Sequence, residues 1–124
     1  MHISSIPGYR SGIEKSIPLT DWHEGDVVIH NHPYFGASHS PDIGIVMPIF
    51  YCGELVGFSA NTAHHLDIGA ATPGLIIDVT DVFAEGMLLN GLKLVEAGKR
   101  NDTLWRYISG NTRVPGLVMR DLEA

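Results

Sequence analysis

Residues 43–60 constrain this chain more than any other stretch. Ile43-Gly-Ile-Val-Met-Pro-Ile-Phe-Tyr51 is a long apolar run rich in β-branched and aromatic residues, and Leu55-Val-Gly-Phe-Ser-Ala60 is a second. Cys52-Gly53-Glu54 separates them, and a glycine-bearing break between two such runs is the mark of a β-hairpin. Antiparallel partners start and finish together, so the residues before the first strand lie beside those after the second. The topology therefore sets His39-Ser-Pro-Asp42 next to Asn61-Thr-Ala-His64-His65-Leu-Asp67-Ile-Gly69.

The flanks supply further elements. Asp26-Val-Val-Ile-His30 reads as a short buried strand, ended by Pro33 and Gly36. Residues 1–25 show no clean period; a helix over 10–17 and a turn at Trp22–Gly25 are the expectations there. Residues 68–81 are rich in Gly, Ala and Pro and read as a surface loop. Val82–Gly86 and Met87–Val95 read as strands, the second bent at Gly91, and Glu96-Ala-Gly98 as a turn. Asn101–Ser109 predicts a helix with Asn101 as N-cap, and Pro115 suits the first position of another that runs toward Ala124. The fold class is α+β: strand-rich and mixed, with a central β-hairpin and C-terminal helices, in one domain over 1–124.

Composition narrows the function. Net charge is −6 and Lys plus Arg number only 8, so no basic stripe exists for nucleic acid or an anionic membrane surface. The single Cys52 rules out an internal disulfide framework and fits a reducing, cytoplasmic setting. Neither a transmembrane run nor a secretory leader is visible. The glycine-rich stretches match no Walker loop or dinucleotide fingerprint.

Seven histidines are many for 124 residues. His39 and Asp42 sit three apart on a loop stiffened by Pro41. His64, His65 and Asp67 form a denser group on the other loop. Adjacent residues of extended chain point opposite ways, so one of His64 and His65 can reach a cation while the other packs. Asp67 can orient an imidazole or serve as a general base. Imidazole and carboxylate together suit Zn, Mn or Fe. The plainer alternative makes Asp42 a turn cap, His39 a surface imidazole, and 64–67 a polar turn. His30 and His32 could join the cluster or simply pair with backbone. Glu85 and Lys93 could line a pocket or mark a strand edge.

At these residues the chain resembles the hydantoinase B family. The resemblance rests on Asp26-Val-Val-Ile-His-Asn-His-Pro-Tyr34, Ser38-His-Ser-Pro-Asp-Ile-Gly44, Gly53-Glu-Leu-Val-Gly-Phe58, Ala63-His-His-Leu-Asp-Ile-Gly69 and Lys93-Leu-Val-Glu-Ala-Gly98, over residues 25–121. That family includes the B-type part of ATP-dependent 5-oxoprolinases and N-methylhydantoinases, and subunits of acetone and acetophenone carboxylases.

The resemblance implies ring-opening hydrolysis of a cyclic amide, or ketone carboxylation, within a hetero-oligomer. A hydantoinase A-type partner would use the ATP. It also implies a divalent cofactor, Mn or Zn, held by His39, Asp42 and His64, with Asp67 and His65 as catalytic residues beside it and a small molecule as substrate. The chain departs from the family pattern at His32, where many relatives carry an aspartate. Family members are several-fold longer, with a further ligand expected upstream, so this chain reads as part of a larger fold and as inactive alone. Two rivals remain: a metalloprotein that hydrolyses amides unaided, and a non-catalytic fragment or assembly module of such a complex.

Overall fold

A computed structural model describes residues 13–14, 21–74 and 76–124 of the chain. Strands β1 (Val27–His30), β2 (Asp42–Tyr51), β3 (Glu54–His64), β4 (Leu92–Glu96) and β5 (Lys99–Arg100) precede helices α1 (Asp102–Gly110) and α2 (Pro115–Glu123). The strands form one antiparallel sheet in the order β3-β2-β1-β4-β5. Of the helix expected over 10–17, Ile13 and Glu14 are described and helical; the rest lies outside the described residues.

The hairpin is longer than the apolar pattern indicates. Tyr51 pairs with Glu54, so the turn is only Cys52-Gly53, and both residues take positive φ, 50° and 82°. Positive φ at both central positions is what a type I′ turn requires, and that turn matches the twist of the flanking strands. Pairing continues to Asp42–His64, with an irregularity between Ile49 and Phe50 where Val56 has no opposite residue. β1 reaches only Val46, so the outer half of the hairpin is a two-stranded arm. Pro48 lies on that arm, flanked by β3 alone, where the lost N–H breaks no central ladder. Met47, Ile49, Tyr51, Leu55 and Val56 are exposed along it.

The helices form as their sequence dictates. Asn101 caps α1 by accepting the Leu104 N–H at 3.2 Å, and Pro115 occupies the first turn of α2. Leu104, Trp105 and Ile108 of α1 and Val118 and Leu122 of α2 pack on Ile29, Ile43 and Leu94 of the sheet. Burying side chains of this size stabilises by about 1.5–3 kcal/mol each before entropy is counted. Strand alternation then points Asp42 and Gly44 to the opposite face from Ile43. That second face is buried too: Val28 and Val46 are 0% and 1% exposed.

Two expected strands are corrected. Val82–Glu85 is a 3-10 turn, because the Asp81 carboxylate accepts the Phe83 and Ala84 N–H groups and winds the chain. Met87–Gly91 alternates like a strand but joins no ladder. Its Leu89 N–H goes instead to the Asn31 side chain, and β4 begins only at Leu92.

Candidate metal centre

Asp42 and His64 are not loop residues; they are the last rung of the β2–β3 ladder. Facing residues of an antiparallel pair share a face, so both side chains project on the side away from the helices. His39 reaches the same point from the preceding turn, whose geometry is set by the Asp42 N–H donating to the His39 carbonyl at 3.1 Å. His39 Nε2 lies 3.0 Å from His64 Nδ1, and His64 Nδ1 lies 3.0 Å from Asp42 Oδ1. His39 Nδ1 is 3.2 Å from Asp42 Oδ2. One potential ligand atom from each residue falls within 4.8 Å of the others.

This arrangement fits a cation. His64 Nδ1 carries at most one hydrogen, which cannot point at both His39 Nε2 and Asp42 Oδ1. A bare Nδ1 would set its lone pair against the carboxylate; a protonated one would leave an imidazole nitrogen without a match. A divalent ion among three converging lone pairs removes the conflict. Two imidazoles and one carboxylate are among the protein ligand sets of catalytic zinc sites, which leave a further position open.

The neighbouring residues hold the cluster in shape. Asn31 is fully buried; its amide donates to the Ser40 carbonyl at 2.7 Å and the Met87 carbonyl at 2.8 Å, and its oxygen accepts the Leu89 N–H at 2.6 Å. Glu85 accepts the Ser40 N–H at 2.9 Å. These contacts anchor the 39–42 turn from both sides. Sequence reading missed the role of Asn31, since its three partners lie 9 to 58 positions away. The available signal was an amide directly after a buried strand.

The remaining histidines and acids separate. His65 turns to the helix side and is 2% exposed, with its backbone N–H donating to the Pro41 carbonyl at 2.8 Å. Burial pushes its imidazole below the ordinary histidine value; Asp121 and Asp42 pull it up and His64 adds to the depression. Asp67 makes no hydrogen bond to a histidine among the described residues. Its carboxylate accepts from the Gly69 N–H, the Thr112 hydroxyl, and the Arg113 backbone and guanidinium, the last at 2.8 Å. Burial would raise this carboxyl, yet those donors outweigh it and hold the group below the usual carboxylate range.

His32 caps the Pro33–Phe35 turn, with its Nδ1 accepting the Tyr34 N–H at 3.2 Å. An aspartate would take the same N–H, so the departure from the family pattern preserves the cap. His30 is buried over Gly44, and neither of its ring nitrogens has a partner. Lys93 pairs with buried Asp26 at 3.0 Å, whereas Glu85 does line a cavity beside His39. Cys52 is exposed at the hairpin tip.

The hydantoinase B/oxoprolinase family model matches residues 1–124. The chain belongs to that family. It is 46% identical over 123 residues to a Pseudomonas sp. (strain NS671) protein assigned as the B-type subunit of a D-/L-hydantoinase, covering 96% of this chain and 21% of that one. It is 41% identical over 106 residues to the 5-oxoprolinase of Dictyostelium discoideum, covering 85% of this chain and 8% of the relative. Among solved structures, the ATP-dependent caprolactamase of Pseudomonas jessenii matches with a TM-score of 0.73 at 30% identity, over 88% of this chain and 20% of that chain. A nucleotide-free acetone carboxylase shares the fold, with a TM-score of 0.74 at 24% identity over 95% of this chain and 15% of that chain. This hydantoinase B-type chain thus spans about a fifth or less of the proteins it matches. No helix among its described residues is long and apolar enough to cross a membrane.

Proposed function

We propose that this chain is the metal-site portion of a B-type subunit in an ATP-dependent enzyme that opens cyclic amides, the carboxylation of ketones being the other chemistry found in the family. The observation that carries this reading is the convergence of His39, Asp42 and His64 within 4.8 Å at the root of the hairpin. The names of the relatives support the reaction class.

His39 Nε2, His64 Nδ1 and an Asp42 oxygen would hold manganese or zinc. A divalent cation supplies, when bound, a Lewis acid for a carbonyl oxygen or a water of lowered pKa. Asp42 spans both imidazoles, one carboxylate oxygen against each, and so holds their planes toward a shared centre. Asn31 and Glu85 keep the His39 turn from relaxing away. ATP use falls to a hydantoinase A-type partner in a hetero-oligomeric, cytoplasmic complex, so this chain alone is inactive. His65 and Asp67 act as supports: His65 packs behind the ligand strand, and Asp67 ties the following loop to Arg113.

Metal analysis of the purified chain against His39→Ala and His64→Ala tests the site. About one equivalent in the parent and a clear loss in both variants is expected; equal content in all three ends the assignment.

A further inference from the structure

The sheet ends differently at its two edges. At one, β5 is only Lys99–Arg100, both cationic, and β4 carbonyls beside it are taken. The Leu94 carbonyl accepts the Asn101 N–H at 3.0 Å and the Trp105 indole N–H at 3.2 Å, and the Lys93 carbonyl accepts the Asn101 amide at 3.2 Å. A short, charged and covered edge is how sheets avoid unwanted pairing. At the other edge, β3 runs eleven residues, Glu54–His64. It holds no proline, lysine or arginine, and Glu54 is its one carboxylate. Among the described residues nothing pairs with its outer side.

Past the irregularity at Val56, Gly57–Ala63 is a regular run. Alternate residues of such an edge present N–H and C=O groups outward, a template for one more strand. The two ends of β3 differ in chemistry. The tip end carries Glu54 with exposed Leu55 and Val56; the root end carries His64 and, just beyond it, exposed Leu66. Laid antiparallel on itself about a two-fold axis near Ala60, the strand brings the tip of each copy to the root of the other. Glu54 then approaches the histidine end of the second copy, and Leu55 and Val56 approach its Leu66, twice over by symmetry. A parallel pairing would set Glu54 against Glu54 and gain neither.

We propose that the outer edge of β3 docks a second copy of this chain, joining two five-stranded sheets into one across a two-fold axis. The arm of each copy then flanks the His39–Asp42–His64 cluster of the other. The pairing rests on the strand edge and not on the metal reading; zinc content bears only on the latter.

Sedimentation velocity of the purified chain over a dilution series tests the proposal. A closed dimer is expected, with hydrogen exchange at alternate amides of Gly57–Ala63 slowing as the dimer fills. Ala60→Lys sets two ammonium groups against each other at the axis. It should weaken dimerisation about fivefold while zinc content and circular dichroism stay those of the parent. Glu54→Lys, at the tip of the arm, should also weaken it, by presenting a cation to the histidine end of the second copy. Should Ala60→Lys fail to fold, Glu54→Lys and the exchange pattern decide. Open-ended aggregates in place of a dimer, or a dimer indifferent to both substitutions with unchanged exchange at Gly57–Ala63, would overturn the proposal. So would a parent that stays monomeric up to about 1 mM, which would assign the edge instead to a strand from a longer B-type subunit.

Discussion

The Asp42 carboxylate meets the His64 imidazole across the last rung of the β2–β3 ladder, Oδ1 to Nδ1 at 3.0 Å. Backbone pairing therefore fixes two of the three proposed ligands before either side chain chooses a rotamer. Only His39 depends on a turn, and that turn is tied down by Asn31 and Glu85.

Asp42→Asn should leave the hairpin intact, since an amide of the same shape fills the site. It should weaken zinc binding by at least about tenfold, which is what losing even a supporting partner of a ligand costs. Competition against a chromogenic chelator reads the change. Undiminished affinity would remove Asp42 from the ligand set.

Asn31→Ala should destabilise the chain by about 3 kcal/mol. It strands two buried carbonyls and one buried N–H, each worth about 1–3 kcal/mol when unsatisfied. Zinc affinity should fall as well, because the Ser40 carbonyl that Asn31 holds sits between His39 and Asp42. Denaturant unfolding and metal titration of the same sample distinguish this from a purely local defect.

Arg113→Ala should cost about 1 kcal/mol at neutral pH, well below the cost of breaking a fully buried pair, because the guanidinium is half exposed and other donors to Asp67 remain. The Gly69 and Arg113 backbone N–H groups still hold the Asp67 carboxylate. The folded state keeps this carboxyl below its ordinary value, so it binds a proton less readily than the unfolded chain. Its contribution is complete above about pH 4 and is lost as pH falls through the folded-state value. The gap between parent and variant should accordingly shrink in acid. A gap independent of pH from 7 down to 2.5 would contradict the pairing.

His30 gives the opposite titration at a milder pH. Burial holds its imidazole below the ordinary value, so the folded chain keeps it neutral. Below about pH 6.5 the unfolded chain takes up the proton first, and stability declines until pH passes the depressed folded value. His30→Leu should flatten that decline relative to the parent. Gly44→Ala tests the same contact from the other side: an added methyl would lie 2.5 Å from His30 Nε2, and overpacking of this kind costs about 1–3 kcal/mol.

Much of this was legible in local pattern. The run at 43–51, the break at Cys52-Gly53 and the return at 55–60 announce the hairpin, and Asn101 and Pro115 announce the two helices. The convergence of His39, Asp42 and His64 followed from hairpin topology, and their assignment as ligands from the family resemblance. Strand ends were not legible, because Asn61-Thr-Ala-His64 is polar and its pairing is backbone work. Val82-Phe83 has strand-forming side chains, but the Asp81 cap overrides them. Asp67 and Arg113 are 46 positions apart, beyond the reach of any spacing argument.

The bulge at Val56 has a consequence for chemistry far from it. The tip of the hairpin pairs Tyr51 with Glu54, and that register carried unbroken to the root would set Asp42 opposite Ala63. Its extra residue advances β3 by one place and delivers an imidazole there instead. Because a single-step slip exchanges the two faces of a strand, drawing Val56 into the ladder would send His64 to the wrong side without touching any proposed ligand, whereas deleting Val56 would leave Asp42 opposite His64. The meeting of the proposed ligands is thus partly set by the skipping of a residue roughly 25 Å up the ribbon from them.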